Sequence, residues 1–266
     1  EIMPRPPFSS DELYRRLHLG NPGDVAFYGR ACEEAATVLE LGSGWGRLAL
    51  PLADSGLDVL GVDLNAAWVD EANAAATALQ SSAALQSSST FGAAHFTHAD
   101  LRDFRSERRF DRVLLPYNVL YALGGIEQVK RALRTAAAHL APGGEIWLDV
   151  YSMDGYREAA ERGDVETDGE DRELITTWTE DDGPIEVFES TSVDLAESRL
   201  NVRYDALSSG AVVGSSTIVH HFFTSEELER ALEAAGLETA GRWGSFEGAP
   251  FDDESEILLV CATSRK

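Results

Sequence analysis

Short apolar runs, bounded by glycine, proline and charged residues, alternate with helix-period stretches through the first part of the chain. Residues 38–42, 57–62, 94–99, 110–115 and 145–151 read as five buried strands. Residues 47–55, 66–79 and 126–140 read as intervening helices, with Pro51 tolerated in the first turn of its helix. Upstream, Ser10-Asp11-Glu12 is placed to cap a helix over 13–19. Asn21-Pro22-Gly23 predicts a turn, and Asp24 is placed to cap a helix running through Ala36. Residues 80–92, QSSAALQSSSTFG, are polar and low in complexity and predict a surface insertion or loose helix extension. The run Ala141-Pro142-Gly143-Gly144 predicts the end of the third helix. This alternation predicts an α/β fold, a doubly wound parallel sheet.

The pattern changes after Tyr151. Residues 173–180, 185–194, 199–207 and 212–223 read as four strands with turn clusters at 181–184, 196–198 and 208–210. Connections that short predict an antiparallel meander. Its positions alternate, Leu174, Thr176 and Trp178 against Ile175 and Thr177, and Val187 and Glu189 against Phe188 and Ser190, so one face can be apolar and the other wet. Thr224 with Glu227 forms a capping box for a helix that ends at Gly236. Two final strands, 237–243 and 256–262, return the chain to the main sheet. The predicted organisation is N-terminal helices and core over 1–151, an inserted β-subdomain over 152–223, and a closing helix with two strands over 224–266.

Composition narrows the partners. The 266 residues suffice for one elaborated domain or two small ones, and no stretch has the apolar length of a membrane span. Residues 1–10 are proline-rich and lack the apolar core of a signal peptide. Cys32 and Cys261, far apart, predict reduced thiols and a cytoplasmic setting. Net charge is −24, with −6 over residues 1–150 and −18 over 151–266, the reverse of a nucleic-acid footprint. The acid excess reads first as a solvated surface and second as an acidic site for a cationic substrate. No His/Cys/Asp/Glu group has metal-ligand spacing, so no metal is expected.

The chemistry concentrates in VLELGSGWGR, residues 38–47, and in Asp63 of VLGVDLN. Gly42, Gly44 and Gly46 predict a tight turn after a strand, leading into a helix N-terminus whose N–H groups are unpaired. The third glycine comes one residue earlier than in a dinucleotide fingerprint, and Arg47 takes its place. Glu40 before the turn repels a phosphate and suits an ammonium group. Asp63, closing the second strand, can accept both hydroxyls of a ribose. An amino-acid end plus a ribose points to S-adenosyl-L-methionine.

Together with HADLRDF, FDRVLLPYN, the LAPGG run and the closing helix with two strands, these motifs make the chain resemble class I S-adenosylmethionine-dependent methyltransferases along almost its whole length. The inserted meander resembles that of glycine N-methyltransferase and amino-sugar N,N-dimethyltransferases. The resemblance implies a Rossmann-like seven-stranded sheet with its last strand antiparallel. It implies that Glu40, Gly42, Gly44 and Gly46 hold the methionine end, that Arg47 pairs with the cofactor carboxylate, and that Asp63 binds the ribose. Leu64 is implied to pack on adenine, Asp100 to receive its amino group and the Leu101 N–H a ring nitrogen. Leu115 and Pro116 would line the floor, Asn118 would face the transferred methyl, and Tyr28 would close over the cofactor. The insertion would roof the acceptor pocket beside Tyr117 and Asn118 or build a homodimer contact. Trp45 departs from the family, which has a small residue or Thr there; it either narrows the pocket or turns outward.

Several residues carry a second reading. Asp100 could cap a turn, Tyr28 could only pack, and His95 and His98 read as structural, while one of His220 and His221 could face the pocket. No motif fixes a base; Tyr28, Tyr117, Tyr121 and His221 are the candidates. The expected reaction is methyl transfer to a small-molecule acceptor, an amine nitrogen first. The alternatives are a hydroxyl or carboxyl acceptor, a tRNA-modifying enzyme with a basic partner, or a non-catalytic cofactor-binding protein.

Overall fold

The computed structural model describes residues 8–85, 92–162, 171–180 and 183–265. Two compact units divide them, Asn21–Asp154 with Phe223–Lys266, and Glu1–Gly20 with Gly155–Phe222.

The larger unit carries the alternation. Its strands are β1 (Thr37–Leu41), β2 (Asp58–Asp63), β3 (Ala93–His98), β4 (Phe110–Leu115), β5 (Leu140–Tyr151), and two late strands that become β10 (Leu237–Trp243) and β11 (Ile257–Ser264) in chain order. The sheet order is β10-β11-β5-β4-β1-β2-β3. The strands from β1 to β5 pair in parallel, and β11 runs antiparallel to both β5 and β10. Strand order reverses at the β1/β4 pair, so the carboxyl ends of those two strands open the crevice in which a doubly wound sheet binds its ligand. Val38, Leu39, Leu41, Val113, Leu114 and Leu115 are buried, as expected of central strands covered on both faces.

Helix boundaries moved where backbone groups found distant partners. The helix expected to run through Ala36 is α2 (Asp24–Ala31). It stops early because the Asp111 carboxylate takes the N–H groups of Ala36 (2.9 Å) and Thr37 (3.0 Å) and draws them into β1. Its N-cap is Gly23, left-handed at φ 84°, so the expected Asp24 cap is replaced. The helix expected over 47–55 shrinks to α3 (Ala49–Asp54), because the glycine turn continues through Leu48.

The alanine-rich helix extends instead of ending at Leu79. It is α4 (Ala66–Leu85), in which the Thr77 and Ser81 hydroxyls donate to the Asn73 and Thr77 carbonyls one turn back instead of competing for the helix N–H groups. The expected loose segment 80–92 is therefore helical through Leu85, and its residues 86–91 lie outside the described residues. After α5 (Ile126–Ala138), the expected turn at residues 141–144 is instead the irregular start of β5, where the pairing with β4 shifts register. A single-turn 3₁₀ helix, Val119–Leu123, was not visible as a pattern. The final helix, α7 (Ser225–Ala234), has the expected Thr224–Glu227 capping box.

The smaller unit is an antiparallel meander of β6 (Asp171–Glu180), β7 (Gly183–Asp194), β8 (Arg199–Ser208) and β9 (Ala211–His221), preceded by α6 (Asp154–Glu161). Residues 181 and 182 of the expected first turn lie outside the described residues. The helix α1 (Ser10–Leu17), with its capping box on Ser9 rather than Ser10, seals one face through Leu13 against Val187, Tyr204 and Ala206. The other face carries the Arg203–Asp205–Ser215 network. The expected Leu174–Thr176–Trp178 row is broken by a register shift after Leu174. Thr176 and Trp178 pair with Val187 and Ile185 on the covered face, whereas Leu174 pairs with Phe188 and is 48% exposed.

Candidate active site

The turn after β1 is built by its own glycines and by β2. Gly42, Gly44 and Gly46 all have positive φ, the conformation side chains avoid. The Val62 carbonyl accepts the Gly42 and Ser43 N–H groups at 2.8 and 3.1 Å. Asp63 then ties the turn to β2, its Oδ2 accepting the Gly44 N–H at 2.7 Å and its Oδ1 the Asn65 N–H at 2.8 Å. Each oxygen keeps a further lone pair, the number two ribose hydroxyls need. Replacing Asp63 with alanine removes both roles. We expect affinity for S-adenosylmethionine to fall by about 1.5–3 kcal/mol, on the order of ten- to a hundredfold; unchanged affinity in calorimetry would remove Asp63 from the site.

Glu40 is the electrostatic centre. It is 3% exposed at the end of β1, and among the described residues its Oε2 finds no hydrogen-bond partner; nor does the buried Ser43 Oγ just after it. Burial pushes the Glu40 carboxyl up to about 8, aided by Asp63 and Asp24 and opposed by Arg47 and the Ala49 N–H. A buried carboxylate oxygen without a donor is unfavourable unless protonated or met by a cation, and an ammonium group is the partner that would satisfy it. Leu64, just past Asp63, is 64% exposed, an apolar surface suited to an aromatic ring. The turn and the end of β2 therefore offer Glu40 to an ammonium group, Asp63 to paired hydroxyls and Leu64 to an aromatic ring.

Other predicted residues have prior commitments. Arg47 forms a bidentate pair with Asp24, Nη2–Oδ2 at 2.7 Å and Nη1–Oδ1 at 3.1 Å, and lies 5.2 Å over the Tyr117 ring. Asp100 accepts Arg102 Nε and Nη2 at 2.9 and 2.5 Å and also the Arg102 N–H, which is the turn-capping role. Leu101 and Leu115 are buried. Trp45 packs edge-on to Trp68, its centroid 5.2 Å away.

Across the crevice, at the end of β4, Tyr117 and Asn118 are both left-handed, with φ 56° and 59°. Two such residues in a row cost about 1–3 kcal/mol each and persist only where the surroundings enforce them. The enforcing residue is Asp149 on β5. Its Oδ1 accepts the Tyr117 N–H at 2.9 Å and the Tyr28 hydroxyl at 2.5 Å, and its carbonyl accepts the Asn118 N–H at 3.1 Å. Asn118 Oδ1 in turn accepts the Tyr151 N–H at 2.7 Å.

The candidate bases separate. Burial and the Asp149 carboxylate raise the Tyr28 hydroxyl well above its usual value, and it donates to Asp149. Tyr121 is buried, its hydroxyl 2.8 Å from the Tyr151 carbonyl and 3.2 Å from that of Phe223, and it too is raised by burial. Both hydroxyls are held by partners, Tyr28 by Asp149 and Tyr121 by the Tyr151 and Phe223 carbonyls. His221 closes β9 in the smaller unit, opposite Arg199, beside His220, which burial lowers to about 4. His98 Nε2 lies 3.0 Å from the Leu64 carbonyl.

Sequence reading missed Asp149 and the pairing of Asp24. Asp149 had a signal, an acid inside the apolar run WLDVY at the ligand end of a strand, the same signal that exposed Glu40. Asp24 had none, because its partner is set by the fold.

The chain matches the family model described as "Methyltransferase domain" over residues 14–240. It is 30% identical over 266 residues, covering 90% of each chain, to dTDP-3-amino-3,6-dideoxy-alpha-D-glucopyranose N,N-dimethyltransferase of Streptomyces fradiae. It is 26% identical over 231 residues to a cypemycin N-terminal methyltransferase of Streptomyces sp, covering 85% of this chain and 82% of that one. Among solved structures it is similar to the CcbJ methyltransferase of Streptomyces caelestis, with a TM-score of 0.75 at 25% identity, covering 93% of this chain and 91% of that one.

Proposed function

The chain belongs to the class I S-adenosylmethionine-dependent methyltransferases, and from that premise we propose that it methylates the nitrogen of a small amine. When bound, S-adenosylmethionine supplies a methyl group activated on a sulfonium. The tasks left to the chain are to bind it, orient an acceptor lone pair and exclude water. Glu40, the glycine turn, Asp63 and Leu64 are assigned the binding. Tyr117 and Asn118 are assigned the acceptor side of the crevice.

The observation that carries the reading is the kind of proton acceptor the site offers. The Tyr28 and Tyr121 phenols are pushed toward the neutral form, and the buried acids Asp24, Glu40 and Asp149 face Arg47 as their cation among the described residues. An alcohol needs a strong base to become a nucleophile, whereas an ammonium needs only to lose a proton to a carboxylate or to water. Acid excess also draws a cationic acceptor. The names of both curated relatives specify nitrogen, one on an amino sugar and one on a peptide N-terminus. With a net charge of −24, polyanionic acceptors are disfavoured.

The test is a panel with labelled S-adenosylmethionine: a dTDP-linked 3-amino sugar, a short peptide with a free N-terminus, the corresponding hydroxy sugar, and bulk tRNA. Transfer to at least one amine, with none to the hydroxy sugar or the tRNA, is the expected result. Transfer confined to hydroxyl or to tRNA overturns the reading.

A further inference from the structure

We propose that Asp149 is a positioning residue of methyl transfer, clamping Tyr28 and the Tyr117–Asn118 turn into one preformed wall of the acceptor site. The proposal rests on the amine-methyltransferase reading of the crevice, and it adds a residue that neither the motifs nor the binding of S-adenosylmethionine requires.

Asp149 is 2% exposed between Leu148 and Val150 in a central strand, where a leucine would pack without an unpaired charge. What the acid does there is specific. A single oxygen, Oδ1, holds a side chain from α2 and a main-chain N–H from the end of β4, and the Asp149 carbonyl holds the next N–H. Two elements far apart in sequence are thereby fixed to one atom. The left-handed pair it enforces sits beside the glycine turn, since a Cβ built on Gly42 would lie 2.4 Å from Cγ2 of Val119, the residue after Asn118. A wall at that place determines where an acceptor atom can stand, and displacement by about 1 Å can cost on the order of a hundredfold in rate. A purely structural account would explain burial and hydrogen bonding. It does not explain why the strained pair, and not a relaxed turn with a glycine, is held at the ligand edge.

The groups facing the Asp149 carboxyl are Tyr28 and Asp24 from α2, the Tyr117 N–H from the β4 end and Arg47 from the glycine turn. Burial foremost, with Asp24, outweighs the lowering by Tyr28, Tyr117 and Arg47 and leaves it at about 6. Ionised Asp149 is the better acceptor for both donors, so the clamp tightens as pH rises through that value.

Asp149→Asn, which keeps Oδ1 but loses the charge, and Asp149→Leu, which loses both, test this with two readouts. Amide hydrogen exchange on the ligand-free full chain reads the clamp without any acceptor. In the leucine variant the Tyr117 amide should exchange about tenfold faster or more, while those of Gly42 and Ser43 stay unchanged. Kinetics on the amine that the parent methylates best should show kcat lowered about ten- to a hundredfold in Asp149→Leu, with S-adenosylmethionine affinity within about threefold. In Asp149→Asn the acidic limb of the kcat profile should flatten. Tyr28→Phe, which leaves the strand intact, should lower kcat in the same direction and add little to Asp149→Asn, because one removes and the other weakens the same contact. Unchanged exchange at Tyr117 overturns the clamp. Faster exchange with unchanged kcat and unchanged pH profile overturns the positioning role. Should Asp149→Leu fail to fold, Tyr28→Phe and Asp149→Asn with kcat and pH profile like the parent overturn it equally. A parent that methylates no amine removes the functional reading, and with it the positioning role, while exchange still decides the clamp.

Discussion

Glu40→Gln is expected to weaken S-adenosylmethionine binding by about 2–5 kcal/mol, on the order of thirtyfold to several thousandfold, while stabilising the ligand-free protein at alkaline pH. Both effects come from one atom. Oε2 is buried without a donor among the described residues, so the ligand-free fold tolerates the carboxylate poorly, and a fold with an ammonium bound there would depend on it. The sign follows from the raised value. An acid whose folded pKa lies above its unfolded one contributes stability that is intact below the unfolded value, 4.5, and lost as pH rises through the folded value, about 8. The glutamine variant has no such loss, so its advantage in melting temperature should be small near pH 5 and greatest above pH 8. Binding runs the other way. Below about pH 8 the ammonium must displace a proton from Glu40, so affinity should climb with pH and then level. Calorimetry in buffers of different ionisation enthalpy would register proton release near neutrality. Binding that is pH-independent and proton-free, or a glutamine variant with parental affinity, would show that Glu40 does not meet the ammonium.

Gly42→Ala is expected to be the most damaging of the three possible alanines in the turn. At φ 87° a side chain is strained, and its Cβ would stand 2.4 Å from Val119 Cγ2. The backbone contributes about 1–3 kcal/mol and the overpacking about 1–3 kcal/mol, a sizeable part of the stability of an ordinary domain. Gly46→Ala meets the ring of Phe96 at 2.9 Å and Cγ of Leu50 at 3.0 Å, and Gly44→Ala meets nothing nearer than 3.8 Å. The order of destabilisation in urea should therefore be Gly42, then Gly46, then Gly44. Adding Val119→Ala to Gly42→Ala should recover the steric part only. Equal losses for Gly42→Ala and Gly44→Ala would mean that the turn, not its packing on the 3₁₀ segment, sets the cost.

What could be read in the sequence was what depends on neighbours in sequence. The alternation of apolar runs, the glycine turn with Glu40 just before it, Asp63 at a strand end and the Thr224–Glu227 box are all local patterns, and each names its own partners. What stayed hidden depends on side chains meeting across the sheet. Asp111 takes two N–H groups from the entry to β1 and so shortens α2. Asp24 looks like a helix cap until Arg47 is placed beside it. Asp149 gains its meaning only when α2 and the end of β4 converge on one oxygen. The register shift after Leu174 was equally silent, because a period-two count cannot see one inserted residue that the partner strand absorbs.

The antiparallel strand β11 sits inside the sheet, between β5 and β10, and not at its edge. On a ribosome this has a temporal consequence. The parallel strands can assemble once β5 has emerged, but β5 then presents an open, apolar border until residues 257–264 arrive. In that interval the entire meander, β6 to β9, is synthesised, and its neighbour-to-neighbour strand pairings can form at once. Maturation of the catalytic sheet is thus gated by the last strand to be made. The nascent species most exposed to aggregation is one with a finished meander and an unfinished sheet.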